Sequence, residues 1–197
     1  MSDTSYLDTA AVNKWLSANL SGFSGPVEAH KFADGQSNPT FALKTARGNY
    51  VLRRKPPGIL LKSAHAVDRE FRVQKALADT DVPVAKMHVL CEDDTVIGSA
   101  FYVMQMIDGR NYDNPSLPEL PFDDRKPVLY EMNRVLAAIH SVDLVKVGLS
   151  DFGPDGNYYR RQTDRWTKQY RATETETIPQ MDELMVWLDD HMPLDDG

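Results

Sequence analysis

Tyr50-Val51-Leu52-Arg53-Arg54-Lys55-Pro56-Pro57-Gly58 reads as a β-strand that gathers cations toward its end and stops at a proline pair. Proline has no N–H to give to a ladder, so the strand closes at Pro56. Side chains alternate across a strand, so Val51 and Arg53 share one face and Arg54 points the other way. Upstream, residues 27–32 and 40–45 also have strand composition, and a turn at Arg47-Gly48-Asn49 joins the second segment to the strand at 49–54. Three sequential antiparallel strands follow from that order. Ahead of them, residues 8–20 place Val12, Trp15, Leu16 and Leu20 on one helical stripe, with Asp8 or Thr9 as N-cap.

Downstream, Ser63 is the expected cap of a helix that carries Val67, Phe71 and Leu77 at core spacing. Residues 84–91 form the next strand, Glu92-Asp93-Asp94 a turn, and 100–107 a nearly unbroken apolar run that suits a strand buried on both faces. The first half is therefore β-β-β-α-β-β, and the expected lobe boundary lies near residue 108. Beyond Asp108-Gly109 a helix over 124–141 carries Val128, Met132, Val135, Leu136 and Ile139 on one face. In an aromatic and basic segment, Trp166 and Tyr170 share a helical face, and Met181, Leu184, Met185 and Leu188 make a last stripe. The fold class is α+β, with an antiparallel sheet lobe over 1–107 and the start of a mainly helical lobe over 108–197.

Charge and cysteine content exclude several classes. The net charge of −7 is local, because residues 172–197 hold eight carboxylates and no Lys or Arg, leaving 22 cations against 21 acids elsewhere. No broad basic footprint for nucleic acid results. One cysteine, Cys91, rules out an intrachain disulfide and fits a reducing compartment. No Cys/His cluster at metal-ligand spacing is present, no segment has the length and apolarity to span a bilayer, and the N-terminus lacks a leader pattern, so a cytoplasmic location is the default expectation.

The chemistry sits in the first lobe. Asp34-Gly35-Gln36-Ser37-Asn38 falls between the first two strands, where a glycine lets backbone N–H groups approach phosphate oxygens and Ser37 and Asn38 add donors. Arg53 on the third strand is placed to meet α- and β-phosphates, and Glu70 on the helix to orient it through a carboxylate–guanidinium contact. Lys55 is a weaker candidate for the same place. The plain alternative makes Arg53 a surface cation and Glu70 a solvated helix residue. The strand end Met104-Gln105-Met106-Ile107 would offer backbone groups and apolar side chains to an adenine.

These blocks, together with Asp68-Arg69-Glu70-Phe71-Arg72-Val73, Asp108-Gly109-Arg110 and Leu136-Ala137-Ala138-Ile139-His140-Ser141-Val142-Asp143, resemble the aminoglycoside phosphotransferase family. Within it they resemble the branch related to kinase-like domains attached to some acyl-CoA dehydrogenases. The resemblance covers nearly the whole chain. It implies a two-lobed protein-kinase-like fold, ATP with Mg²⁺ as donor, and a hydroxyl on a small molecule as acceptor, without identifying the acceptor. By the same resemblance Arg53 matches the strand cation, Glu70 the helix carboxylate, and 104–107 the hinge. Gln105 departs from the acidic residue often met there.

Phosphoryl transfer needs a carboxylate at the acceptor hydroxyl and ligands for Mg²⁺, commonly from an H-x-D-x-x-x-x-N loop and a later Asp. No such loop occurs in these residues, so no catalytic or metal-ligating residue is assigned. Asp151-Phe152-Gly153 and His140-Ser141-Val142-Asp143 imitate kinase motifs, but the His-to-Asp spacing is one residue too long and no Asn follows in place. The expectation is a chain cut before the catalytic loop, itself inactive, with magnesium ligands beyond residue 197. The alternative is a non-catalytic kinase-like module that binds nucleotide or a protein. Arg160, Arg161 and Arg165 either meet an anionic acceptor or simply cover the surface.

Overall fold

The computed structural model describes residues 7–33, 38–56, 65–154 and 156–193. Two compact units divide the chain, 1–149 and 150–197. In the first, helix α1 (Thr9–Asn19) precedes strands β1 (Glu28–Lys31), β2 (Thr40–Thr45) and β3 (Gly48–Arg54). Helix α2 (Val67–Ala76), strands β4 (Met87–Cys91) and β5 (Phe101–Gln105), and helix α3 (Phe122–His140) follow. The second unit holds α4 (Tyr158–Thr173) and α5 (Pro179–Asp190).

All strand pairs are antiparallel, and the sheet order is β1-β2-β3-β5-β4. The expected β-β-β-α-β-β order is therefore found, with β4 beginning at Met87 rather than at residue 84. Thr45 faces Gly48 across the β2–β3 turn, a two-residue hairpin that fixes the register and puts Thr40 opposite Arg53. On the other side of β3, Arg53 lies opposite Tyr102. Three polar side chains thus stand in a row on one face of the sheet.

The two faces are buried by different helices. Leu52 and its neighbours Phe41, Leu43, Phe101, Val103 and Cys91 pack with Leu7, Val12 and Leu16 from the α1 side. The opposite face packs Tyr102, Met87 and Ala100 against Val67 and Phe71 of α2. Phe101, Tyr102 and Val103 are all buried, as expected for a strand enclosed on both faces. Trp15 meets Phe101 edge-on, with ring centroids 5.1 Å apart.

The helix ends have distinct causes. Asp8 caps α1, accepting from the Ala11 N–H at 2.9 Å. Helix α2 has Ala66 at its cap position and no side-chain cap; Ser63, the expected cap, lies outside the described residues. Helix α3 starts two residues earlier than its periodicity suggests, after Pro121, and contains Pro127. No residue of α3, α4 or α5 is buried, and Met132, Leu136 and Ile139 of the α3 stripe are exposed.

In the second unit the local acidity finds its partner. Arg160 of α4 pairs with Asp189 of α5 at 2.5 Å, and Arg171 with Asp182 at 2.5 Å. These pairs run in opposite sequence directions, so α4 and α5 lie antiparallel. Exposed pairs of this kind contribute little each, and they set register more than stability.

Leu52 is fully buried on the α1 face. Leu52→Ala is expected to cost about 2–5 kcal/mol, the usual range for a buried leucine truncation. Urea unfolding of the two proteins measures it, and a loss well under that range would show that the α1 face is not the main core.

Candidate functional site

Helix α2 brings a carboxylate to the sheet because Val67 and Phe71, one turn apart, are its anchors. Glu70, three residues after Val67, lies on the same side and reaches β3. Its Oε2 accepts from Arg53 Nε at 2.8 Å, and Arg53 Nη1 donates to Thr40 Oγ1 at 3.1 Å. The central expectation from sequence, a strand cation oriented by a helix carboxylate, is thus present as a contact. The side chains remain 28% and 33% exposed, so the pair is partly open to solvent and not sealed inside.

Glu70 is held by more than the arginine. Oε2 also accepts the Tyr102 hydroxyl at 3.0 Å, and Oε1 accepts Asn38 Nδ2 at 2.9 Å. The Thr40 hydroxyl, while accepting from Arg53, donates to the Asn38 carbonyl at 3.0 Å. Asn38 itself is 2% exposed. Its Oδ1 lies 2.7 Å from His65 Nδ1. Four segments of chain therefore meet at one carboxylate.

Burial, and then the adjacent Glu70 charge, push the Tyr102 phenol well above the ordinary tyrosine range, opposed by Arg53. Tyr102 is therefore a donor to Glu70 at any working pH.

The neighbouring cations go elsewhere. Arg54 is buried at 5% exposure on the Leu52 side, as alternation requires, and desolvation lowers its pKa. Its Nε finds no hydrogen-bond partner among the described residues. Lys55 approaches Asp68 at 3.9 Å, not Glu70. Among the described cations Arg53 alone reaches Glu70.

At the end of β5, Met104 packs partly into the α2-side core. Gln105 turns to the adjacent strand segment: its N–H donates to the Lys86 carbonyl at 2.8 Å, and its Oε1 accepts from the Lys86 N–H at 3.3 Å. Met106 is half-buried and Ile107 is exposed. Gly35, Gln36 and Ser37 lie outside the described residues. Thr40, His65 and Tyr102 were not singled out from sequence. Thr40 follows from the hairpin register, whereas Tyr102 looks like one more residue of an apolar strand.

The His140–Asp143 imitation motif has a structural role. His140 ends α3, and Asp143 Oδ1 accepts from the Val145 and Lys146 N–H groups at 3.1 Å each, as a turn cap. That bonding to the Lys146 backbone, with the Lys146 side chain, lowers the Asp143 pKa. Among the described residues no group of three or more His, Cys, Asp or Glu is placed to hold a metal ion. Arg160, a candidate for an anionic acceptor, is engaged by Asp189.

A five-stranded antiparallel sheet with a helix on each face, an arginine–carboxylate contact from one of those helices to the sheet, and the solved relative below place the protein in the kinase-like fold class. The chain belongs to the phosphotransferase enzyme family, whose pattern matches residues 28–197. A crystal structure from Ralstonia eutropha, named for an aminoglycoside phosphotransferase, superposes with a TM-score of 0.79 at 50% identity, covering 97% of this chain and 55% of that one. Acyl-CoA dehydrogenase family member 10 of Mus musculus is 49% identical over 184 residues, which are 93% of this chain and 17% of that protein. Family member 11 of Homo sapiens is 39% identical over 194 residues, 96% of this chain and 25% of that protein. The chain thus spans a quarter or less of these curated relatives. The branch suggested by the sequence motifs is the one found.

Tyr102 supplies a pH test. Its folded-state pKa is raised, so its contribution is fully present below about pH 10, the ordinary tyrosine value. Stability is lost as pH rises above that, because the unfolded chain releases the proton first. Tyr102→Phe is expected to remove this part of the alkaline decline, as read from denaturant midpoints at pH about 9 and about 11. An unchanged decline would contradict the assignment.

Proposed function

We propose that this chain is the nucleotide-binding front part of an ATP-dependent phosphotransferase that acts on a hydroxyl group of a small molecule. The observation that carries the reading is the Arg53 guanidinium, with Nε committed to Glu70 and Nη1 to Thr40. Nη2 has no partner among the described residues, so its donors suit an anionic oxygen. A planar guanidinium fixed at two of its nitrogens is a preorganised phosphate donor, and Glu70 keeps its charge oriented without covering it.

In this reading residues 1–107 form the nucleotide lobe and 108–197 begin the helical lobe. The proposal assigns Gly35, Gln36 and Ser37 to the phosphate side, with Asn38, whose side chain is committed to Glu70 and His65, supporting them, and Met104 to Ile107 to the base side. The Gln105 N–H is engaged with Lys86, so the base-side donors and acceptors come from the residues around it. ATP with Mg²⁺ is the proposed donor pair; its chemistry is in-line transfer of the terminal phosphoryl group to a hydroxyl. This chain's described residues bind and orient, and the proposal assigns the magnesium ligands and the base at the acceptor to sequence beyond residue 197. Support comes from the family membership and from the solved relative, of which this chain covers 55%. A reducing, cytoplasmic setting suits the buried Cys91 thiol, which desolvation makes harder to ionise.

Arg53→Ala is expected to weaken Mg·ATP binding by roughly tenfold or more, the loss of a hydrogen-bonded charge contact. Isothermal titration of the complete protein measures it. Unchanged affinity would remove Arg53 from the nucleotide site. A non-catalytic module would bind nucleotide with the same arginine dependence, yet turn over no hydroxyl substrate in the complete protein.

A further inference from the structure

Glu70 is an acceptor, so Asn38 must turn its Nδ2 toward Oε1, and this fixes which end of the amide faces the other way. The other end is Oδ1, and it faces His65 Nδ1 at 2.7 Å. An amide oxygen cannot donate, so His65 must carry its proton on Nδ1. A directed chain of hydrogen bonds therefore runs from His65 through Asn38 to Glu70, and the same carboxylate receives Arg53.

His65 stands in an unusual backbone state for this purpose. Its φ is 61°, the left-handed region that side chains other than glycine seldom enter. Its carbonyl accepts from the Val67 N–H at 2.9 Å, as α2 begins. A strained residue at the helix entry, with its ring directed to a buried amide, indicates that the surroundings over-determine the conformation. Asn38 is placed with equal constraint, at the end of the expected phosphate loop and just before β2.

We propose that Asn38 and His65 are positioning residues that aim Arg53 at the nucleotide phosphates by fixing the Glu70 carboxylate from its far side. Without them Glu70 keeps, among the described residues, only the donors on Oε2, from Arg53 and Tyr102, and can rotate, carrying the guanidinium with it. Asn38 also ties the chain just before β2 to helix α2. The proposal rests on the nucleotide reading of Arg53, and two measurements keep the failures of each apart.

The first needs no nucleotide. Imidazole ¹⁵N spectra of the protein labelled at histidine are expected to show His65 protonated on Nδ1, with that signal altered in Asn38→Ala. A neutral ring protonated on Nε2 alone would overturn the proposal whatever the nucleotide does. The second is a binding cycle with Mg·ATP in the complete protein. Asn38→Ala and His65→Ala are each expected to weaken binding by roughly three- to tenfold, as for members of one hydrogen-bond network. Neither should have any further effect in the Arg53→Ala background. A loss that persists there shows a general structural role and overturns the proposal, as does an unchanged affinity in both single variants. If the unsubstituted protein binds no Mg·ATP, the nucleotide reading falls and the proposed positioning role with it, while the ¹⁵N result still reports the network itself. His65→Ala changes a half-buried residue and serves where Asn38→Ala does not fold.

Discussion

The Glu70 carboxylate is the constraint on which the first unit turns. It collects three donors from three different places in the chain: Asn38 before β2, Arg53 on β3 and Tyr102 on β5. A partly buried carboxylate is costly unless its oxygens are occupied, so each donor helps to make the others' position worthwhile. The consequence is geometric. The docking of α2 on the sheet, the pairing of β3 with β5 and the end of the glycine loop are all tied to one pair of oxygens.

The sheet makes this arrangement possible by giving its two faces different tasks. The α1 side is a closed apolar core built on Leu52, Phe101 and Leu16. The α2 side mixes apolar packing at Val67 and Phe71 with the polar row of Thr40, Arg53 and Tyr102. Alternation along β3 separates the two, and it also separates the cations. Arg54 is taken into the buried side, and Arg53 is left partly exposed on the other face. A shift of one residue in the register of β3 would exchange them, so the two-residue hairpin between β2 and β3 is part of the site as well as of the fold.

Much of this was legible in the sequence. Period-two patterning and the proline stop locate β3, and the helical spacing of Val67 and Phe71 puts Glu70 beside the sheet, so the Arg53–Glu70 contact can be foreseen. Tyr102 could not, because in an apolar run it reads as one more buried ring, and its position opposite Arg53 depends on non-local pairing. His65 carries no local signal for a positive φ. The stripe of α3 shows the limit of periodicity: it tells which residues share a face, not whether anything covers it, and Met132, Leu136 and Ile139 are exposed. Arg160 looked available for an anionic acceptor until the acidic α5 supplied Asp189. Here charge runs in two segments were each readable, and their pairing was not.

The central claim, that Arg53 held by Glu70 is a phosphate donor, is tested most directly by the Arg53 side-chain Nε–H resonance during titration with Mg·ADP. The account predicts a saturable shift of that resonance, following the same binding curve as the protein as a whole, with Nε still protected from solvent exchange by Glu70. Saturable binding that leaves the Arg53 resonance unmoved would contradict it.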